Sequence, residues 1–232
     1  MKLLDEKCKN NFGCAISDAT QHQVYMTACM VVRDILSEKN MEFNKTAGKK
    51  EEKQVFYMSM EFLVGTSLHN NLYNLGVEDA FKKALKSIDV DIEDIYKIEP
   101  DAGLGNGGLG RLACYMDSLT SLAIPATGYS IRYEFGIFKQ KIIDGWQMEF
   151  PDDWLNLGDV WLKGRPDESV EVKFGGHVNE WFDDKGYHAE HVDYTVVLAV
   201  PYDMLISGYN TPAVNKLVLW SAKSPKSFDM TA

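Results

Sequence analysis

Val55-Phe-Tyr-Met-Ser-Met-Glu61-Phe-Leu-Val-Gly65 is apolar almost throughout, and charged residues on one side and a glycine on the other bound it abruptly. So short and apolar a run predicts a strand buried on both faces, as in parallel sheets, and with it an α/β fold. Glu61 sits inside the run, between Met60 and Phe62. Burying a carboxylate there is costly unless it is paired or hydrogen-bonded, which makes Glu61 a candidate functional group. The alternative is a strand end that opens into a solvated cleft, with Glu61 simply wet. In open α/β sheets that cleft is where ligands bind, so the two readings overlap.

Moving outward, Val24, Ala28, Val31, Val32, Ile35 and Leu36 recur at helical spacing over residues 20–38. Residues 44–53 are polar and lysine-rich and read as a loop. Beyond the apolar run, Thr66 or Ser67 is placed to cap a helix carrying Leu68, Leu72 and Leu75. Further helices are expected over 77–85 and 91–98, and from Leu112 to Pro125. The pattern then turns to short strand-like runs at 129–135, 137–143, 146–150, 170–174, 178–182, 187–200 and 217–220. Asp144-Gly145 marks a hairpin turn. The first half is thus helix-rich and the second strand-rich. No internal repeat, low-complexity segment or linker divides residues 1–232, which read as a single unit.

Asp101-Ala-Gly-Leu-Gly-Asn-Gly-Gly-Leu-Gly-Arg111 holds five glycines in eleven residues. GxGxxG fits from Gly103 and again from Gly105. The dinucleotide-binding form needs a strand before the loop, and here an isoleucine stripe at helical spacing and Pro100 precede it. The physics survives without that fold. Glycines allow close backbone approach, and a loop running into a helix offers N–H groups to an anion, most simply a phosphate. A tight turn packed on a neighbouring strand is the alternative.

Lys and Arg number 24 against 34 Asp and Glu, a net charge of −10. A bulk polyanion repels nucleic acid and anionic membrane, so neither is expected as a partner. Cys8, Cys14, Cys29 and Cys114 form no CxxC pair and suggest reduced thiols in the cytoplasm. No apolar stretch is long enough to span a bilayer.

Other constellations are weaker. His188-Ala-Glu190-His191 invites a metal reading, but on a strand the histidines face opposite sides and no third ligand is well placed, so no metal is expected. Adjacent Asp152 and Asp153 point apart on a strand. The tryptophans 146, 154, 161, 181 and 220 could stack on sugar rings, although aromatics at such spacing generally belong to a core.

Taken together, Tyr57–Gly65, Glu99–Ala113 and Gly128-Tyr-Ser-Ile-Arg-Tyr-Glu-Phe-Gly-Ile-Phe-Lys-Gln-Lys141 closely resemble the glycogen/starch/maltodextrin phosphorylases. Gly145-Trp-Gln147, Asp152-Asp-Trp154, Val200-Pro-Tyr-Asp203 and Leu219-Trp-Ser-Ala222 continue the match in order. The resemblance covers roughly residues 22–230. It implies phosphorolysis of terminal α-1,4-glucosyl units to glucose 1-phosphate, with pyridoxal 5′-phosphate as cofactor, in a cytoplasmic homodimer. The implied fold is GT-B, two Rossmann-like domains across a cleft, of which these residues would form the first half of the N-terminal domain. Gly108 would offer its backbone N–H to substrate phosphate, Gly107 would share that phosphate-facing loop, Leu109 would lie against the glucosyl unit, and Glu61 would line the catalytic pocket.

There are departures from the pattern. Thr66 stands where an arginine is usual, and Leu63 where animal members carry a tyrosine. The animal phosphorylation and AMP-site patterns are not visible in the N-terminal region or in 37–50. The cofactor lysine and the basic residues that grip phosphate belong to the family's C-terminal domain, which this sequence lacks. The 232 residues alone are therefore expected to bind no cofactor, to be inactive and to self-associate through exposed apolar surface. The alternatives are a non-catalytic phosphate- or glucan-binding module and a dinucleotide-binding domain.

Overall fold

A computed structural model describes residues 1–105, 113–156 and 158–225. Helix α1 (Lys2–Phe12) ends at Gly13, whose φ of 71° suits a left-handed cap. Helix α2 (Gln21–Lys49) starts at a capping box in which Thr20 and Gln23 exchange side-chain and backbone bonds. The stretch 44–53, expected as a loop, is helical up to Lys49. Its polar side chains bond back along the helix (Asn44 Nδ2 to Asn40 Oδ1, 3.1 Å; Thr46 Oγ1 to the Glu42 carbonyl, 2.9 Å), and Ala47 is buried. Lysine and glutamate favour helix, so a polar run need not break one.

The apolar run 55–65 is two strands, not one: β1 (Val55–Met58) and β2 (Phe62–Gly65). Ser59 causes the break. Its hydroxyl accepts from the Glu61 N–H (3.2 Å) and donates to the Glu61 carbonyl (2.9 Å), diverting the backbone from the ladder. Nor is β1 buried on both faces. Among the described residues it pairs only with β4 (Ala126–Ile131), and Phe56 and Met58 are 63% and 79% exposed.

Helices α3 (Leu68–Asn74) and α5 (Ile92–Tyr96) pack on α2, and α4 (Glu78–Lys86) packs on α3 and α5, in one apolar cluster that includes Leu68, Leu72, Phe81, Leu85, Ile92 and Ile95. Strand β3 (Ala102–Leu104) precedes α6 (Ala113–Ser121). The remainder is β4, β5 (Gly136–Ile143), β6 (Trp146–Asp152), β7 (Lys163–Gly164), β8 (Val170–Phe174), β9 (His177–Asp183), β10 (Gly186–Val192), β11 (Thr195–Ser207) and β12 (Val214–Lys223), with one short 3-10 turn at Pro166–Glu168. The expected single run 187–200 is split by Asp193, in left-handed conformation at φ 56°, so that β10 pairs with β9 and β11 joins the main sheet.

The main sheet runs β1-β4-β12-β11-β7, with β8 also on β11. The first three strands are parallel, and β11 is antiparallel to β12, β7 and β8. This is a mixed α/β architecture. Leu217 and Leu219 of β12 and Met204 of β11 form its core with Met116 and Phe62. Asn215, fully buried, holds three elements: its carbonyl accepts the Ala126 N–H (3.0 Å), and its amide donates to Thr120 Oγ1 (3.0 Å) and the Ile124 carbonyl (2.9 Å). Arg33 to the Val160 carbonyl (2.8 Å) and Asn40 to the Val214 carbonyl (2.7 Å) tie α2 to the strand-rich half. Asp144-Gly145 turns the β5–β6 hairpin with φ of 53° and 81°, the signature of a type I′ turn.

Candidate active site

Strands β2 and β3 form a two-stranded antiparallel ribbon, with Phe62 opposite Leu104, Leu63 opposite Gly103 and Gly65 opposite Ala102. Glu61 precedes Phe62 and Gly105 follows Leu104, so the carboxylate and the start of the glycine segment share the open end of one ribbon. Phe62 anchors that ribbon. It is 1% exposed and meets Tyr57 edge-on at 5.5 Å, a burial that contributes about 1.5–3 kcal/mol.

A cleft of about 260 Å³ opens there, lined by Glu61, Gly103, Gly105, Tyr133, Phe135 and Ile137, among others. Glu61 is half-buried at its edge rather than enclosed, which matches the cleft reading of this carboxylate better than the buried one. Tyr133 donates its hydroxyl to the Met60 carbonyl (3.0 Å), and Trp154 donates its indole N–H to the Tyr133 carbonyl (3.1 Å). The turn that presents Glu61 is thereby tied to the segment between β4 and β5.

The floor of the cleft is backbone laid over a carboxylate. Asp152 is buried, its Oδ1 lying 3.1 Å from Lys139 Nζ, while Asp153 is exposed. A Cβ placed on Gly136 would come within 2.2 Å of Asp152 Oδ2, and one on Gly103 within 3.3 Å. Glycine is needed at 136 for this close approach. Arg132, in the same Arg-Tyr-Glu-Phe-Gly segment, turns away. It pairs with Asp159 (2.7 Å) and lies 4.3 Å over the Tyr202 ring.

Behind the ribbon, Ser67 makes no side-chain cap on α3. The carboxylate of Glu99 replaces it, accepting the N–H groups of Ser67 and Leu68 at 2.8 Å each and the Trp161 indole N–H at 2.7 Å. Burial pushes the Glu99 carboxyl above its ordinary value, and the three donors oppose that rise.

Gly107, Gly108 and Leu109 lie outside the described residues, so the structure brings together only Glu61 and the first glycines of the segment. The dinucleotide reading has no support among the described residues, because β3 is a three-residue strand antiparallel to β2 and not part of the parallel sheet. His188 lies 2.8 Å from Asp183 and stacks on Trp181, while His191 lies 2.7 Å from the Gly175 carbonyl. No metal-suited group of three His, Cys, Asp or Glu occurs among the described residues. Trp154 is core, whereas Trp146 and Trp181 are 76% and 44% exposed. A larger hollow of about 640 Å³, beside Tyr73 and Tyr209, contains none of the candidate site residues.

The family profile described as "Phosphorylase: Carbohydrate phosphorylase" matches residues 85–232. The chain belongs to the carbohydrate phosphorylase family. It is 45% identical over 213 residues to the muscle form of glycogen phosphorylase from Homo sapiens, covering 91% of this chain and 25% of that protein. It is 44% identical over 224 residues to glycogen phosphorylase from Bacillus subtilis (strain 168), covering 96% of this chain and 28% of that protein. The corresponding figures for glycogen phosphorylase from Chlamydia pneumoniae are 44% over 215 residues, 92% and 26%. The chain thus spans about a quarter of the length of the curated relatives it matches. No helix among the described residues of this phosphorylase chain is long and apolar enough to cross a membrane.

Tyr133, Phe135, Ile137 and Glu99 are not singled out individually by the sequence, and Asp152 is singled out only as a neighbour of Asp153. The first three alternate at spacing two, a legible strand-like signal for one shared wall. Asp152 and Glu99 carry no such mark.

Proposed function

We propose that these residues form one wall of the active site of an α-1,4-glucan phosphorylase, which acts when they stand within a chain of the relatives' length. The observation that supports this reading is the cleft that sets the Glu61 carboxylate beside the first glycines of the loop. Phosphorolysis transfers a terminal glucosyl unit from glycogen or maltodextrin to inorganic phosphate. A phosphate oxygen bonds to the anomeric carbon, the glycosidic C–O bond breaks, and the released 4-hydroxyl takes up a proton.

In this reading Glu61 accepts hydrogen bonds from sugar hydroxyls or an ordered water. Phe135 and Tyr133 give the glucosyl ring an apolar side. Gly107 and Gly108 hold phosphate with backbone N–H groups, and Leu109 lies against the sugar. Pyridoxal 5′-phosphate, the family's cofactor, would supply a phosphate group able to exchange a proton with substrate phosphate. A Schiff base to that cofactor needs a lysine, and none lines the described cleft. The parallel β1-β4-β12 run supports a Rossmann-like half of a GT-B fold, and the bonds from α2 to the sheet support one part-domain over 1–232. Homodimeric assembly and a cytoplasmic location complete the reading. The four cysteines form no disulfide, which agrees with a reducing compartment.

The test is product identity. A chain of the relatives' length carrying this sequence, incubated with maltoheptaose and phosphate, should release glucose 1-phosphate. Release of free glucose alone, or of nothing, contradicts the proposal.

A further inference from the structure

We infer that Glu99 is a positioning residue that sets the register of the β2–β3 ribbon and, through it, the placement of Glu61 against Gly105. The ribbon has few means of holding itself. It is two strands wide, and its register shifts at a bulge between Leu63 and Gly65, with Gly65 left-handed at φ 64°. Two-stranded ribbons are marginal alone, and a one-residue slip turns each side chain to the opposite face.

One end of the ribbon carries Glu61 and Gly105. The other ends at Gly65 opposite Ala102, where no strand pairing remains to lock it. Glu99 acts just beyond that end. It lies three residues before Ala102, on the β3 side, and takes the N–H groups of Ser67 and Leu68, two and three residues past Gly65 on the β2 side. Its carboxylate therefore bridges the two arms below the bulge, as a further rung would. Trp161 donates to the same Oε1 atom that accepts from Ser67, which fixes the carboxylate from a third segment. Glu99 is 9% exposed, so water does not readily replace these bonds.

Glutamine is the informative substitute. Its amide oxygen can accept from one of the two N–H groups, Ser67 or Leu68, but its NH₂ group then faces the other N–H with nothing to accept. Hydrogen exchange read by mass spectrometry on the 232-residue chain is the first test. Glu99→Gln should speed exchange of the amides of 62–65 and 102–105 by about tenfold or more, leaving β11 and β12 unchanged. Equal exchange in the ribbon, or a rise that is uniform across β11 and β12, overturns the inference. If Glu99→Gln does not fold, Trp161→Phe, which removes one donor, carries the test and should give a smaller change confined to the same amides.

The second readout rests on the proposed phosphorolysis. In a chain of the relatives' length, Glu99→Gln should lower kcat by about tenfold to a hundredfold while KM for maltoheptaose stays within about twofold. An unchanged kcat overturns the positioning role even where exchange rises. If the unsubstituted chain makes no glucose 1-phosphate, the functional reading falls, and the exchange result still decides the role of Glu99.

Discussion

The β11–β12 ladder and the β2–β3 ribbon are built on opposite terms. The first pairs ten residues on each strand without interruption, from Leu198 opposite Lys223 to Ser207 opposite Val214, and buries Leu217 and Leu219 at its centre. The second pairs three residues across a bulge, lies outside the main sheet, and is held by Phe62, by Tyr133 and by the carboxylate of Glu99. The candidate site sits on the second. The long ladder supports itself by continuous pairing and burial, and the short ribbon presents a carboxylate and a glycine segment at a cleft, provided other residues fix it. Sites drawn from the weakly self-supporting parts of a fold are a common arrangement.

The contrast can be broken from either side. Leu217→Ala removes a core side chain that is 1% exposed and contacts the Met116 and Phe62 cluster. Urea unfolding should show a loss of about 2–5 kcal/mol, and a loss below about 1 kcal/mol would mean that the long ladder is not the stability centre. Gly136→Ala acts at the cleft floor, where its Cβ would meet Asp152 Oδ2 at 2.2 Å. We expect a loss of about 1–3 kcal/mol, because the buried, ion-paired Asp152 must shift. A neutral effect would show that Asp152 is not held there.

The smallest effect concerns pH. Burial raises the Glu99 carboxyl above its ordinary value of 4.5, so the folded protein holds that proton more tightly than the unfolded chain. The associated stability is present below the unfolded value and is lost as pH rises through the folded one. The unfolding free energy of the natural chain minus that of Glu99→Gln should therefore fall as pH rises above about 4.5 and then level off. A difference that rises with pH would reverse the sign of the shift.

Much of this was legible in the sequence. The helical stripe in α2, the Asp144-Gly145 turn and the change from helices to strands all follow from periodicity and turn chemistry, which are local. The break at Ser59 was not, because it depends on one hydroxyl bonding its own backbone within an apolar run. The exposure of β1 depends on which strands neighbour it, a non-local fact. Glu61 stood out because a charge in an apolar run is costly. Glu99 did not, because a glutamate before a proline reads as loop, and its three donors come from residues 31, 32 and 62 positions away.

The most direct test of the account is the Glu61→Gln substitution in a chain of the relatives' length, assayed for glucose 1-phosphate from maltoheptaose and phosphate. If Glu61 lines the working cleft, kcat should fall by about a hundredfold or more with the urea midpoint unchanged. Turnover equal to that of the unsubstituted chain would contradict the assignment of this cleft as the active-site wall.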